Sequence, residues 1–441
     1  MFRILINSWK VPDLRKKLIF TILIIIIFRI GSVIPVPFLN VEALAGMMGN
    51  LADGGAILAY LDTLSGGAFA QATIFAMSVS PYINASIIMQ LMTVALPYLE
   101  SLQKEGEEGR KKLTAITRYL TIFLGLMQGT AFYLYLRSGS YAGQSIVRYT
   151  EGSAGIFVAV IIILSFTAGT ALMMWLGEQI NVKGIGNGIS ILMFAGIVSR
   201  MPSLITKLVA YFSIAIEAPA EYGKFYAFVP LFVIMFFFMM WIIVFMNDAE
   251  RRIPIQYAKR TVGRKMYAGQ NSFIPLKIGI SGVMPIIFAT SILAVPGFIN
   301  FFMRPTGILK TILDSLSPNG LVHTIVYFFL IIMFAYFYVA ITYNPIEMAN
   351  NLRQSNGAIP GIRPGKPTSD YFAKILSKVT FIGALFLAFI ALLPVGFSAG
   401  TNMHNLSMGG TSIIIMVGVA LETVKQMESQ LMMRHYKGFL D

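Results

Sequence analysis

The sequence predicts an all-α polytopic membrane protein with ten transmembrane helices, and three observations carry that expectation. Of 441 residues, 56% are hydrophobic and only 12% are charged, with a mean hydropathy of +0.72, well outside the range of a soluble domain. The apolar residues gather into span-length runs separated by polar connections. The basic residues then sort to one side of those runs.

The runs fall at 18–34, 72–96, 119–136, 155–176, 185–205, 226–246, 274–297, 321–343, 379–397 and 409–421. Gly, Asn and charged residues crowd the ends of the fifth and tenth. An even number of crossings leaves both termini on one side. With Lys277 counted in the loop 247–277 and Arg200 in the connection after span five, the N-terminal segment, the connections after spans two, four, six and eight, and the C-terminal tail hold 26 of the 34 Lys and Arg and 13 of the 20 Asp and Glu. That side is net +13, whereas the opposite side, with 7 of each sign, is neutral; Arg29 lies within the first span. The positive-inside rule therefore puts both termini in the cytoplasm.

In chain order, residues 1–17 mix Phe2, Ile4, Leu5 and Trp9 with Arg3, Lys10, Arg15, Lys16 and Lys17, the pattern of an amphipathic helix on a membrane surface. The apolar run behind it ends in Gly-Ser-Val-Ile-Pro without a small-x-small pattern, so a cleaved signal peptide is not expected.

The second run has 25 residues without a charge, enough to cross a core of roughly 30 Å. Pro81 stands in its middle, among Ser78, Ser80, Asn84 and Ser86. Lipid offers such groups no partners, so this span is expected to line a cavity. Gly125-x-x-x-Gly129 in the third run reads as close helix packing.

Two long connections lie on the basic side. The loop 247–277 carries Arg251, Arg252, Lys259, Arg260, Arg264 and Lys265, and its alternating residues predict a β-hairpin with Val262-Gly263 near the tip. The loop 344–378 starts as a helix and passes into a Gly/Pro-rich turn around Arg363. Such charges set topology, but topology does not require loops of this length. A protruding basic hairpin suits docking to an acidic or phosphate-rich partner.

Several chemistries are excluded. The chain has no Cys, and His323, His404 and His435 lack metal-ligand spacing, so neither a metal nor another cofactor is expected. Residues 361–368 mimic a phosphate-binding loop, but the glycine spacing is short, and Pro364 and Pro367 read as blocking the helix start. Gly184-x-Gly186-x-Gly188 has no strand before it. Glu178, Glu347 and Glu422 lie at span ends, so the midplane carboxylates of an ion-coupled secondary transporter with inverted repeats are missing. An intramembrane enzyme would need a nucleophile and base at depth, and none is evident.

The segments SGGAFAQATIFAMSVSPYINASIIMQL, KEGEEGRKKLTAITRY, GIGNGISILMFAGIV, RRIPIQYAKR and NPIEMANNLRQSNGAIPGIRPG occur in this order, and with them the whole chain resembles the SecY family of bacterial protein-conducting channels. The resemblance implies two pseudosymmetric halves, 18–205 and 226–421, closing as a clamshell around an hourglass pore. An external connection at 206–225 joins them, and 422–441 forms a cytoplasmic tail.

By the same resemblance, Ile83, Ile87, Ile189, Met193, Ile287 and Ile415 form an apolar pore ring, with Met193 standing where a branched aliphatic is more usual. An apolar constriction excludes water by dewetting and has no side-chain preference for a passing polypeptide. The plug falls at about 56–71, including Leu64, Ser65, Gly66, Gly67, Ala68, Phe69 and Ala70. A lateral gate opens between span two with the start of span three and spans seven and eight, where Asn84, Ile88 and Gln90 lie.

The family's docking elements for the ribosome and the motor ATPase SecA match Arg251, Arg252, Lys259, Arg260, Arg264, Lys265 and Arg363. Small membrane subunits SecE and SecG, signal peptides, nascent chains and the lipid bilayer complete the implied partners. The implied function is a passive, gated channel in the bacterial plasma membrane that passes unfolded preproteins and releases transmembrane segments into lipid.

Overall fold

The computed structural model describes residues 2–50, 62, 65–141, 144–217, 219, 223–257, 260–262, 265–267, 271–303, 307–316, 320–401 and 410–437. In the N-terminal part the helices are α1 (Phe2–Lys10), α2 (Pro12–Gly31), α3 (Val41–Asn50), α4 (Ser80–Ala95), α5 (Pro97–Lys104), α6 (Glu107–Ser138), α7 (Gly152–Lys183), α8 (Gly188–Ser199) and α9 (Met201–Glu217). The C-terminal part contains α10 (Phe225–Asp248), α11 (Met284–Met303), α12 (Ile308–Ser315), α13 (Leu321–Thr342), α14 (Pro345–Gln354), α15 (Lys366–Thr401) and α16 (Gly410–Lys437).

Among the described residues, seven helices are long and apolar enough to cross a membrane when α8 with α9 and α13 with α14 each count as one, and the bent pair α4–α5 makes an eighth if it counts as one span. Helices α2 and α11, with 20 residues each, overlap the first and seventh apolar runs. Arg29 falls in the last turn of α2, where a cation faces the negative end of the helix dipole.

The second run departs from the single long helix read from its composition. Residues 65–79 fold as successive turns, and φ is +43° at Ala72 and +50° at Ser78, a left-handed geometry that no α-helix accommodates. The helix starts only at Ser80, so Pro81 occupies its first turn, where a missing N–H costs nothing, and does not kink its middle. Leu96 is held extended by Pro97, with φ −111° and ψ 115°, which ends α4 after 16 residues. The next helix, α5, leaves at 100°.

Two other runs are also divided. Pro202 cannot donate a helical hydrogen bond, and the fifth run breaks at Arg200 into α8 and α9. In the seventh run, residues 274–277 are taken into a β-strand, because backbone pairing with 250–253 satisfies them before the helix begins at Met284. The expected hairpin is therefore longer than the loop alone.

Strand β3 (Glu250–Tyr257) pairs antiparallel with β6 (Asn271–Lys277), from Glu250 opposite Lys277 to Gln256 opposite Asn271. Beyond them β4 (Arg260–Val262) pairs with β5 (Lys265–Tyr267), and the Gly263 tip lies outside the described residues. The second long loop joins this sheet, with Gly357 and Ala358 pairing to Tyr257 and Gln256. A shared core of Ile253, Ile255, Leu276, Leu352, Ile359, Phe372 and Leu376 makes the two loops one body.

Helix α15 starts at Lys366, with Pro367 in its first turn, so that one of the two prolines read as blocking a helix start lies within one instead, while Pro364 stays in the turn before it. Only the short glycine spacing still argues against a phosphate loop. At the end that carries both termini, Leu14, Ile185 and Met427 pack together, and Lys17 Nζ donates to Gln430 Oε1 at 3.3 Å. Gly125 and Gly129 bring α6 against Thr170 and Phe166 of α7, the close packing their spacing predicts.

Candidate functional site

A cavity of about 760 Å³ opens between the two parts of the chain. Its N-terminal wall is α4, through Tyr82, Ile83, Ser86 and Gln90, with Asn181 of α7 and Asn187, Ile189, Ser190 and Met193 at the start of α8. Its C-terminal wall comes from Asn247, the end of β6, the turn before α11 with Met284 and Ile287, Tyr338 and Tyr343, and the α16 stretch from Ile415 to Lys425.

The turn between α7 and α8 sets the position of Ile189 and Met193. Asn181 Oδ1 accepts from Gly188 N at 2.7 Å, Asn187 Oδ1 accepts from Ser190 N at 3.3 Å as an N-cap, and Ile185 N donates to Thr21 Oγ1 at 3.2 Å. Gly188 is required: a Cβ there would run into the Gly177 carbonyl of the facing helix. The three glycines at 184, 186 and 188 thus lie in the turn from one membrane helix into the next.

Polarity divides the cavity. Asn181, Asn187, Asn247, Lys277, Glu422 and Lys425 lie where helices meet the basic loops, whereas Ile83, Ile189, Met193, Ile287 and Ile415 form an apolar part. Ile415 is 1% exposed, and Ile87, Ile189, Met193 and Ile287 are also buried in the same core. Ile87 is the exception among the six expected ring positions, because it packs in that core without lining the cavity.

Of the expected gate residues, Gln90 lines the cavity, Asn84 is half-buried, and Ile88 points outward at 37% exposure. Ile83, Ser86 and Gln90 follow the i, i+3, i+7 rhythm of one helix face. That rhythm is the available signal for Ser86, which carries no expected ring or gate role. Tyr338, Tyr343 and Asn247 sit at run ends with no such pattern, and sequence reasoning missed them.

Leu64 lies outside the described residues. Ser65, Ala68 and Phe69 are buried, and Gly66, Gly67 and Ala70 are half-buried. Phe69 stacks on Phe132 at 4.4 Å within a second core that includes Leu39, Leu136, Ile146 and Phe166. That core contains no ring residue.

On the basic side, Arg251, Arg252 and Arg363 are exposed. Arg252 Nε is 2.7 Å from Glu250 Oε1, and its guanidinium lies 4.8 Å from the Phe273 ring centre. Arg260 and Lys265 belong to the outer strand pair, while Lys259 and Arg264 fall outside the described residues. Thr368 Oγ1 donates to the Arg363 carbonyl at 2.8 Å and fixes the turn that presents this arginine.

These features define a multi-pass membrane protein with a cavity walled by both parts of the chain, polar at the basic side and apolar within. The SecY family profile matches residues 73–424. Protein translocase subunit SecY of Streptomyces coelicolor is 43% identical over 98% of this chain and 98% of its own length. SecY of Mycobacterium tuberculosis is 42% identical over the full length of both.

Among solved structures, a protein-conducting channel matches with TM-score 0.63 at 19% identity, covering 96% of each chain. A SecY protein whose plug domain stabilises the closed state matches at 0.62 and 18%, again over 96% of each. The chain belongs to the SecY family. Its fold is that of the protein-conducting channel structures it matches.

Proposed function

We propose that the chain is the channel-forming subunit of a bacterial protein translocase, passing unfolded preproteins across the plasma membrane and releasing apolar segments sideways into lipid. One observation carries this reading: Ile83 and Met193 from the N-terminal part meet Ile287 and Ile415 from the C-terminal part at one cavity with a polar mouth. An apolar constriction fed by a wet funnel holds back ions while it idles and adapts to any chain that enters.

In this reading the halves 18–205 and 226–421 supply five spans each, joined by 206–225, with both termini cytoplasmic. The ring is Ile83, Ile189, Met193, Ile287 and Ile415, backed by Ile87. The plug covers about 56–71, with 65–70 as its anchored base. The gate runs between α4 with the start of the third span in α6 and α11 with α13, with Asn84, Ile88 and Gln90 on its N-terminal side. SecE and SecG complete the membrane complex, and the energy comes from SecA or a ribosome docked on Arg251, Arg252, Arg363 and the outer strand pair.

The test is ion conductance in a planar bilayer. Ile83→Asn combined with Ile287→Asn is expected to raise the resting current well above wild type. A current unchanged by that pair overturns the ring.

A further inference from the structure

Outside the cavity, a largely shielded charged contact joins segments far apart in the chain: the Asp62 carboxylate forms an ion pair with Arg200, at the break between α8 and α9. Both side chains are largely shielded, at 14% and 20% exposure, where charge attraction is less screened than at the surface. Arg200 Nε is buried without a hydrogen-bond partner, and the guanidinium meets Asp62 through Nη2.

Asp62 also organises the base of the plug. Its Oδ1 accepts from Ala70 N at 2.8 Å, and its carbonyl accepts from Ser65 Oγ at 3.1 Å and from Gly67 N at 2.9 Å. A second, weaker contact runs beside the ion pair: Ser199 Oγ, which donates to the Gly196 carbonyl of its own helix at 2.6 Å, also lies 3.3 Å from the Gly66 carbonyl. Gly66 has φ +67°, and a Cβ there would lie 2.8 Å from the Gly196 carbonyl, so only glycine lets the two backbones approach this closely.

The partner helix matters. Ile189 and Met193 occupy the first turns of α8, and Gly196, Ser199 and Arg200 occupy its end. Resting on the plug and ring reading above, we propose that Asp62 and Arg200 form a latch holding the plug base to the helix that carries Ile189 and Met193, so that plug and ring close as one unit. A shift of α8 that widens the ring strains the latch, and a passing chain that displaces the plug loosens α8. Removing either charge leaves the other shielded and unpaired, which is costlier than never having formed the pair.

The test uses the full chain in its membrane complex. Asp62→Asn and Arg200→Gln are each expected to raise resting bilayer conductance several-fold. The chain has no cysteine, so Asp62→Cys with Arg200→Cys introduces a unique thiol pair. A short bis-maleimide is expected to bridge this pair in the idle channel and to stop preprotein translocation, while each single-Cys variant treated alike continues.

Neutral variants that seal like wild type, a pair that never bridges, or a bridged channel that translocates at the control rate would each overturn the latch. The Ile83→Asn with Ile287→Asn channel separates the two readings. If it leaks while the latch variants seal, only the latch fails. If none of them leaks, the seal reading itself falls.

Discussion

Lys425 Nζ lies 2.6 Å from Asp248 Oδ1, tying the middle of α16 to the end of α10 at the polar mouth of the cavity. Lys425 also reaches the Asn247 carbonyl at 3.5 Å. Both charged side chains are well exposed, so solvent screens the pair and its worth is small. Lys425→Ala should lower stability by no more than about 1 kcal/mol, measured by thermal unfolding in detergent. A much larger loss would mean that the pair is buried by a partner in the assembled complex.

Gly188 has no room for a side chain against the Gly177 carbonyl. Gly188→Ala should force α7 and α8 apart, with a loss of about 1–3 kcal/mol, as for other overpacked sites. Thermal unfolding reads this directly, and a midpoint equal to wild type would show that the turn tolerates separation.

Met193 is a thioether in a setting of isoleucines. Met193→Leu conserves volume and should leave both the resting conductance and, within about 1.5 kcal/mol, the stability unchanged. Met193→Asn should leak, because a hydrogen-bonding group lets water wet the constriction. Equal conductance in the two variants would remove Met193 from the ring.

Phe69 is 2% exposed and stacked on Phe132. Phe69→Ala should cost about 3–5 kcal/mol if the surrounding core does not collapse into the gap. It should also raise resting conductance by loosening the plug base. A destabilised variant that still seals would divorce that base from the seal.

Arg363→Glu reverses a charge in a turn fixed by Thr368 and remote from the apolar cavity wall. Motor-driven secretion should fall while membrane insertion and yield of the channel hold. A parallel fall in all three would place Arg363 in folding rather than docking.

The long apolar runs were legible in the sequence because span length and hydropathy leave little choice of structure in lipid. The nested hairpin was legible too, since Ile253 and Ile255 alternate with exposed residues and the register follows. What escaped was backbone detail. Ala72 and Ser78 take left-handed geometry through tertiary packing, and nothing in an uncharged run announces that. Pro81 was visible, but a proline marks a helix start as readily as a kink, and composition does not choose between them. The ring positions came from the likeness to a family. Burial alone does not distinguish Ile415, on the cavity, from Ile87 behind it.

The shared core of the two basic loops has a mechanical consequence. Residues 250–277 and 344–378 are riveted by Ile255, Leu352, Ile359 and Phe372 and by the pairing of Gly357 with Tyr257. A load applied to either loop is therefore borne by both. Their common body is rooted in α10, α11, α13 and α15, and α11 carries Ile287. Whatever pushes on this face grips a lever whose short arm ends at Ile287 on the cavity wall, the place of the proposed constriction.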